Sequence, residues 1–289
     1  LSMNPFSSRC CQHNHAQGWP YFTEHLVLAT PDNGVAIAIY AACKATVKVG
    51  DGKEITLHEE TNYPFEEAIA FTVSTGEKVA FPFYLRIPSW TQKAEVRVNG
   101  KKVSAAPVAG KYLCINREWA NGDRVELTLP MSLSMRTWQV NKNSVSVDYG
   151  PLTLSLKIAE KYVEKDSRET AIGDSKWQKG ADSKKWPTTE IYPDSPWNYS
   201  LVLDKKEPLK NFKVIRKSWP ADNYPFTVAS VPLEVKAIGR PVPEWKIDET
   251  GLCGVLPEED AVKGDKEEIT LIPMGAARLR ISAFPNTKE

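Results

Sequence analysis

The sequence has almost no excess of charge and no long apolar run. Its 289 residues include 37 basic and 36 acidic ones, for a net charge of +1. This balance argues against the basic surface that nucleic acids or anionic membranes select. No apolar segment approaches the roughly 20 residues of a transmembrane helix. A glycine-rich phosphate loop, a serine nucleophile elbow and a nucleic-acid-binding motif are also missing, which points away from those classes.

Cysteine is scarce as well. An odd, sparse set of this kind is unlike the disulfide framework of a small secreted domain. The first residues lack the basic and apolar segments of a signal peptide. Because the chain opens on Leu1-Ser2-Met3, we expect a fragment or a processed product, and the compartment stays open. The cysteines are Cys10, Cys11, Cys43, Cys114 and Cys253.

Two of these cysteines are adjacent, in the stretch SRCCQHNHAQGWPYF (residues 7–21). Adjacent cysteines rarely pair with each other, because disulfide geometry is narrow. Cys10 and Cys11 could therefore pack, pair with distant cysteines, bind a metal, or form a nucleophile with its helper. His13 and His15 follow closely, and thiolates and imidazoles are the ligands that zinc prefers. The spacing by itself leaves these alternatives open.

Hydrophobic periodicity predicts one helix followed by strands. Trp19, Phe22, Leu26 and Ala29 recur at helical spacing, so we predict a helix over residues 14–30 that ends at a turn. Beyond it, apolar residues alternate strictly in several short segments, including residues 79–87. Short alternating strands separated by turn signals are typical of sandwiches and barrels.

The composition changes after about residue 157. Residues 160–190 are polar and charged without a sustained period, which predicts a long connection. Strand-like runs resume from residue 200 onward. The pattern predicts a mainly β chain, with a helical segment followed by two β-sandwich domains.

Tryptophans and paired carboxylates are weaker candidates for function. Most tryptophans fill cores, but Trp186 and Trp197 flank a polar segment and could hold a sugar. The pairs at residues 59–60 and 66–67 could serve a glycosidase. Because neighbours on a strand point to opposite faces, we predict a solvated edge for both pairs instead.

Several segments together resemble a known family, the glycoside hydrolase family 127 (GH127) β-L-arabinofuranosidases. The resemblance implies an (α/α)6 barrel with the active site, followed by β-sandwiches. Residues 1–30 would be the last loop and last helix of the barrel, 31–157 a first sandwich, and 158–289 a connection and a second sandwich. The segments are MNPFSSRCCQHNHAQGWPYF, YLRIPSW, VRVNGK, REWANGDRVELTLPM, YGPLTLSL, SPWNYSL and ARLRISAFP.

The resemblance also implies a chemistry for the cysteine pair. Members are retaining, zinc-dependent hydrolases, so Cys10 would be the nucleophile and a zinc ligand, with Cys11 a further ligand. Zinc keeps a thiol deprotonated at neutral pH. The other zinc ligands and the acid/base glutamate of the family precede the pair, so no residue is named for them. His13, His15 and Trp19 are candidate substrate-binding residues.

Partners and location follow from the same resemblance. We expect a plant-polysaccharide oligosaccharide as substrate, the upstream barrel of the same protein as partner, and a bacterial periplasmic or secreted location. The chain alone should be inactive, because a retaining mechanism needs its acid/base about 5 Å from the nucleophile. The alternatives are a non-catalytic β-sandwich scaffold, a carbohydrate-binding module, or a zinc domain that uses only the local cysteines and histidines.

Overall fold

The computed structural model describes residues 10–166, 183–185, 188–249, 251–258 and 262–289, with the side chains of 10–15, 183 and 188 left out. The chain divides into two compact units, Cys11–Ser132 and one built on Leu133–Glu289. Strands dominate both units, which confirms the predicted mainly β class. No helix in the described part of the chain is long and apolar enough to cross a membrane.

Helix α1 covers Cys10–Glu24, so it begins before the predicted start at 14 and ends before the predicted end at 30. Leu26 is buried, and Val27–Ala29 forms strand β1 instead of a last helical turn. Strand β1 pairs with β2 (Val35–Ile37), so the intervening turn joins two strands. Asn33 supplies the left-handed backbone of this turn, with φ of 58°. The helical spacing of Leu26 and Ala29 therefore predicted a helix end that is too far along the chain.

The first unit contains two sheets. In the four-stranded sheet the order is β1-β2-β6-β9, and in the six-stranded sheet it is β3-β4-β5-β10-β7-β8. The remaining strands are β3 Cys43–Val49, β4 Lys53–Thr61, β5 Ala68–Thr75, β6 Val79–Arg86, β7 Glu95–Val98, β8 Lys101–Lys102, β9 Tyr112–Trp119 and β10 Arg124–Thr128.

One apolar core joins these two sheets. Phe83 of β6 and Phe71 of β5 are buried, and their ring centroids lie 5.6 Å apart in an edge-to-face contact. Trp119 is also fully buried, and its indole N–H donates to the Phe81 carbonyl at 3.0 Å. Alternation of buried and exposed residues along the strands produces this face-to-face packing.

The second unit is built on one eight-stranded sheet among the described residues, in the order β11-β12-β13-β19-β18-β16-β20, with β17 paired to β18. A separate two-stranded sheet joins β14 and β15. The strands are β11 Leu133–Trp138, β12 Ser144–Tyr149, β13 Leu152–Leu156, β14 Glu160–Lys165, β15 Thr188–Pro193, β16 Tyr199–Leu203, β17 Lys213–Arg216, β18 Leu233–Pro241, β19 Glu267–Pro273 and β20 Asn286–Lys288.

Two features of this unit differ from the sequence-based expectation. The segment predicted as a long connection contributes β14 and the start of β15, which pair antiparallel over six residues each. Backbone hydrogen bonds hold such a ribbon, and they require no apolar period. Strand β13 pairs with β19, so residues before the predicted boundary at 157 join the second unit's sheet. The ranges 1–30, 31–157 and 158–289 as separate domains stay a prediction.

Candidate functional site

The predicted nucleophile and zinc ligands lie at the start of helix α1. Cys10 and Cys11 occupy the first turn, followed by His13 and His15. The side chains of these four residues lie outside the described part of the structure, so their roles stay predictions. Among the side chains that are described, no group of three or more His, Cys, Asp and Glu residues could hold a metal ion.

Trp19, the fifth predicted site residue, lies in the same helix and is 61% exposed. Its ring contacts Phe22 edge to face, with centroids 6.3 Å apart. An exposed indole on a helix surface can stack on a sugar ring. The predicted role of Trp19 in substrate binding stays a prediction.

The Arg-Ile-Pro-Ser-Trp motif of the first unit has a structural role. Arg86 donates through Nε to the Ala38 carbonyl at 2.5 Å, and the Tyr40 hydroxyl donates to the Arg86 carbonyl at 2.5 Å. The guanidinium carbon lies 6.0 Å from the Tyr40 ring centroid. Trp90 forms a side-chain hydrogen bond with Tyr63, and burial raises the pKa of the Tyr63 phenol. The motif therefore ties the end of β6 to the segment that precedes β3.

Strand β4 of the same unit carries a buried carboxyl group at a position that was predicted to be a solvated edge. Glu59 is only 2% exposed, because it continues the inward-facing series of Ile55 and Leu57 along β4. Its neighbour Glu60 is exposed, as predicted. The prediction was thus wrong for Glu59. The two-residue period of β4 was the sequence signal that identifies the buried position.

Buried Glu59 and partly buried Cys43 form a pair on adjacent strands. Glu59 Oε2 accepts from the Cys43 thiol at 3.8 Å, while Oε1 has no hydrogen-bond partner in the described structure. Burial raises the pKa of Glu59 to about 8 and that of Cys43 to about 11. Both groups are therefore mostly neutral at pH 7. Because the Glu59 carboxyl group is buried, a substrate in solvent does not contact it. Its ionisation instead changes the stability of the fold.

In the second unit, a groove of about 350 Å³ is lined by Trp197, one of the two tryptophans predicted to bind sugar. The other, Trp186, lies outside the described residues. We call this feature the Trp197 groove. Residues that line it include Tyr192, Trp197, Ile247, Leu252, Arg278 and Arg280. Apolar walls with a few polar groups are typical of small-ligand sites.

Most of the first unit matches a known protein family. Residues 34–131 match the family model of the GH127 middle domain of β-L-arabinofuranosidase. This part of the chain is similar to the GH127 middle domain. The matched residues include the Arg86–Trp90 motif and the buried Glu59, and they begin after the cysteine pair. A search of curated proteins finds no match.

Solved structures of GH127 proteins share the fold of nearly the whole chain. One is a GH127 β-L-arabinofuranosidase from Geobacillus stearothermophilus T6, with a TM-score of 0.63 and 22% identity over 96% of this chain and 37% of that chain. A second GH127 β-arabinofuranosidase gives a TM-score of 0.63 and 22% identity, covering 96% and 38%. A third structure, described as a glycoside hydrolase, gives 0.62 and 23%, covering 96% and 40%.

These comparisons bear out the family resemblance read from the sequence. The related proteins are glycoside hydrolases, and the present chain spans two fifths or less of their length.

Proposed function

We propose that this chain is the C-terminal part of a retaining, zinc-dependent GH127-type hydrolase of L-arabinofuranosides, and that it works with an upstream helical barrel. The observation that carries the proposal is the family match over residues 34–131, which follows a helix that begins with two cysteines. A bacterial periplasmic or secreted location is proposed with it, because plant polysaccharides are extracellular substrates.

In this proposal, Cys10 is the nucleophile. Its thiolate attacks the anomeric carbon, the bond to the leaving oxygen breaks, and a general acid of the barrel protonates that oxygen. Water, deprotonated by the same group, then displaces the thiolate, and two displacements at one carbon retain its configuration. Cys10 is the first residue of α1, the helix that precedes the matched domain.

The donor set at the start of α1 suits zinc. Cys10 and Cys11 would hold the ion through their sulfur atoms, which are ligands that zinc prefers. When bound, zinc would keep these thiols deprotonated at neutral pH. We further propose that His13, His15 and Trp19 contact the sugar, since imidazoles supply hydrogen bonds and an indole supplies a flat apolar face.

The chain alone is expected to leave an aryl β-L-arabinofuranoside unhydrolysed. The acid/base group belongs to the barrel in this proposal, and a nucleophile without it lacks the proton transfers of both steps. The measurement is release of 4-nitrophenol from 4-nitrophenyl β-L-arabinofuranoside, compared with a buffer blank. Circular dichroism of the same sample controls for folding. Turnover by the folded chain would contradict the division of the active site between chain and barrel.

Carbohydrate binding without catalysis is a second candidate function. The Trp197 groove favours it, because the groove combines aromatic and apolar walls with arginine side chains. This candidate concerns the second unit, whereas the catalytic proposal concerns helix α1.

A further inference from the structure

We propose that the Trp197 groove binds a carboxylate-bearing sugar, a uronic acid residue of an acidic glycan. This site belongs to the second unit and uses none of the residues assigned to hydrolysis. The inference rests on the second candidate function, carbohydrate binding by this groove, and names its ligand; it is independent of the catalytic proposal.

Trp197, an aromatic residue of the groove lining, is supported by contact with a second tryptophan. Trp197 packs edge to face on Trp245, with ring centroids 5.2 Å apart. Trp245 is buried, and its indole N–H donates to the Gly254 carbonyl at 3.0 Å. Tyr192 also lines the groove and is 44% exposed, and its hydroxyl donates to the Glu190 carboxylate at 2.5 Å. The fixed indole and the phenol ring are both apolar surfaces on which one face of a pyranose ring can lie.

The positive charge of the groove comes from Arg280. Its Nε donates to the Ala277 carbonyl at 2.7 Å, which fixes the plane of the guanidinium group. The terminal nitrogens of Arg280 make no contact with a carboxylate among the described residues. No acidic residue lines the groove in that part of the chain. Arg280 is therefore a groove-lining arginine whose Nε is fixed and whose charge has no carboxylate partner among the described residues.

Arg278, the second arginine of the groove, is already paired. Its Nη1 lies 3.6 Å from Glu160 Oε2, and the Tyr162 hydroxyl donates to the same carboxylate at 2.5 Å. The Glu160 side chain is only 7% exposed. Because the charge of Glu160 is balanced by Arg278, the charge of Arg280 is left for a ligand.

A uronic acid fits this combination better than a neutral sugar or a simple anion. A guanidinium group binds a carboxylate through two parallel hydrogen bonds, which fixes the orientation of the ligand. The ring of the same sugar has an apolar face that can lie on Trp197 and Tyr192. A neutral sugar lacks the charged contact, and phosphate lacks the apolar face.

Isothermal titration calorimetry of the full chain tests the proposal with three probes: trigalacturonate, arabinotriose and inorganic phosphate. We expect trigalacturonate to bind at least about tenfold more tightly than either of the others, because only it makes both kinds of contact. Arg280→Gln should weaken trigalacturonate binding by about tenfold or more. Arg97→Gln, at an exposed arginine of the first unit, is the matched control and should leave the affinity unchanged.

Other results would overturn the proposal. Equal affinity for trigalacturonate and arabinotriose would show that the carboxylate is not recognised. Phosphate binding as tight as that of trigalacturonate would indicate a general anion site only. No binding of trigalacturonate, or binding that is insensitive to Arg280→Gln in a variant with an unchanged circular dichroism spectrum, would exclude the groove as its site.

Discussion

Replacing Cys10 with serine is expected to lower kcat/KM for 4-nitrophenyl β-L-arabinofuranoside by about a thousandfold or more. The measurement uses the joined polypeptide, in which this chain follows its helical barrel. A serine hydroxyl has a far higher pKa than a thiol, so the variant has almost no ionised nucleophile at neutral pH. The loss should appear mainly in kcat, because the group acts on the reacting carbon and contributes little to substrate binding.

Cys114→Ser is the matched control for this experiment. Cys114 is an exposed free cysteine on β9, remote in sequence from helix α1. Its replacement changes the same atoms and should leave kcat/KM within about twofold, as surface substitutions usually do. Equal activity of the wild type and Cys10→Ser would remove Cys10 from the mechanism. An equal loss in both variants would assign the effect to a general consequence of thiol replacement.

The free energy of unfolding is expected to fall as the pH rises from about 5 to 9, because of Glu59. Burial raises its pKa from an ordinary 4.5 to about 8, so the folded chain holds a proton that the unfolded chain has released. The stabilising contribution is complete below pH 4.5 and is lost as the pH rises through 8. The shift corresponds to roughly 3–5 kcal/mol. Urea unfolding at several pH values measures it.

Glu59→Gln should flatten this profile, since an amide keeps a neutral group of similar size in the core at every pH. Glu54→Gln, at an exposed position of the same strand, is the control and should keep the wild-type slope. Parallel profiles for the wild type and Glu59→Gln would show that Glu59 does not titrate differently in the folded chain. At pH 9 the Glu59→Gln variant should be the more stable protein.

The sequence predicted the strands of the first unit better than the ends of its elements. Residues such as Phe81 and Phe83 anchor β6 because side-chain direction alternates along any strand that covers a core. The predicted end of α1 was wrong because Leu26 and Ala29 have helical spacing, although the backbone of Val27–Ala29 pairs as a strand. Backbone pairing also produced β14 and β15 without an apolar pattern. Such pairing depends on distant partners, which local periodicity does not report.

The candidate sites were predictable to different degrees. The adjacent cysteines were visible from the residues alone, but their chemistry came from a resemblance to GH127. The two-residue spacing of Glu59 from Leu57 and Ile55 predicts that it is buried, but an ionisable side chain is not expected in a core. The groove required tertiary structure, because Trp197 and Arg280 are far apart in the chain. A site formed by residues adjacent in the sequence can be predicted from the sequence, whereas a site formed by residues far apart in the chain cannot.

Elemental analysis of the joined polypeptide tests whether the cysteine pair binds zinc. We expect about one zinc ion per wild-type and per Cys114→Ser polypeptide, and a clear loss in Cys10→Ser and in Cys11→Ser, because each removes a thiolate ligand. The chain alone should hold less zinc than the joined form. Absence of zinc from the joined wild type, or full zinc in both variants of the pair, would contradict the account.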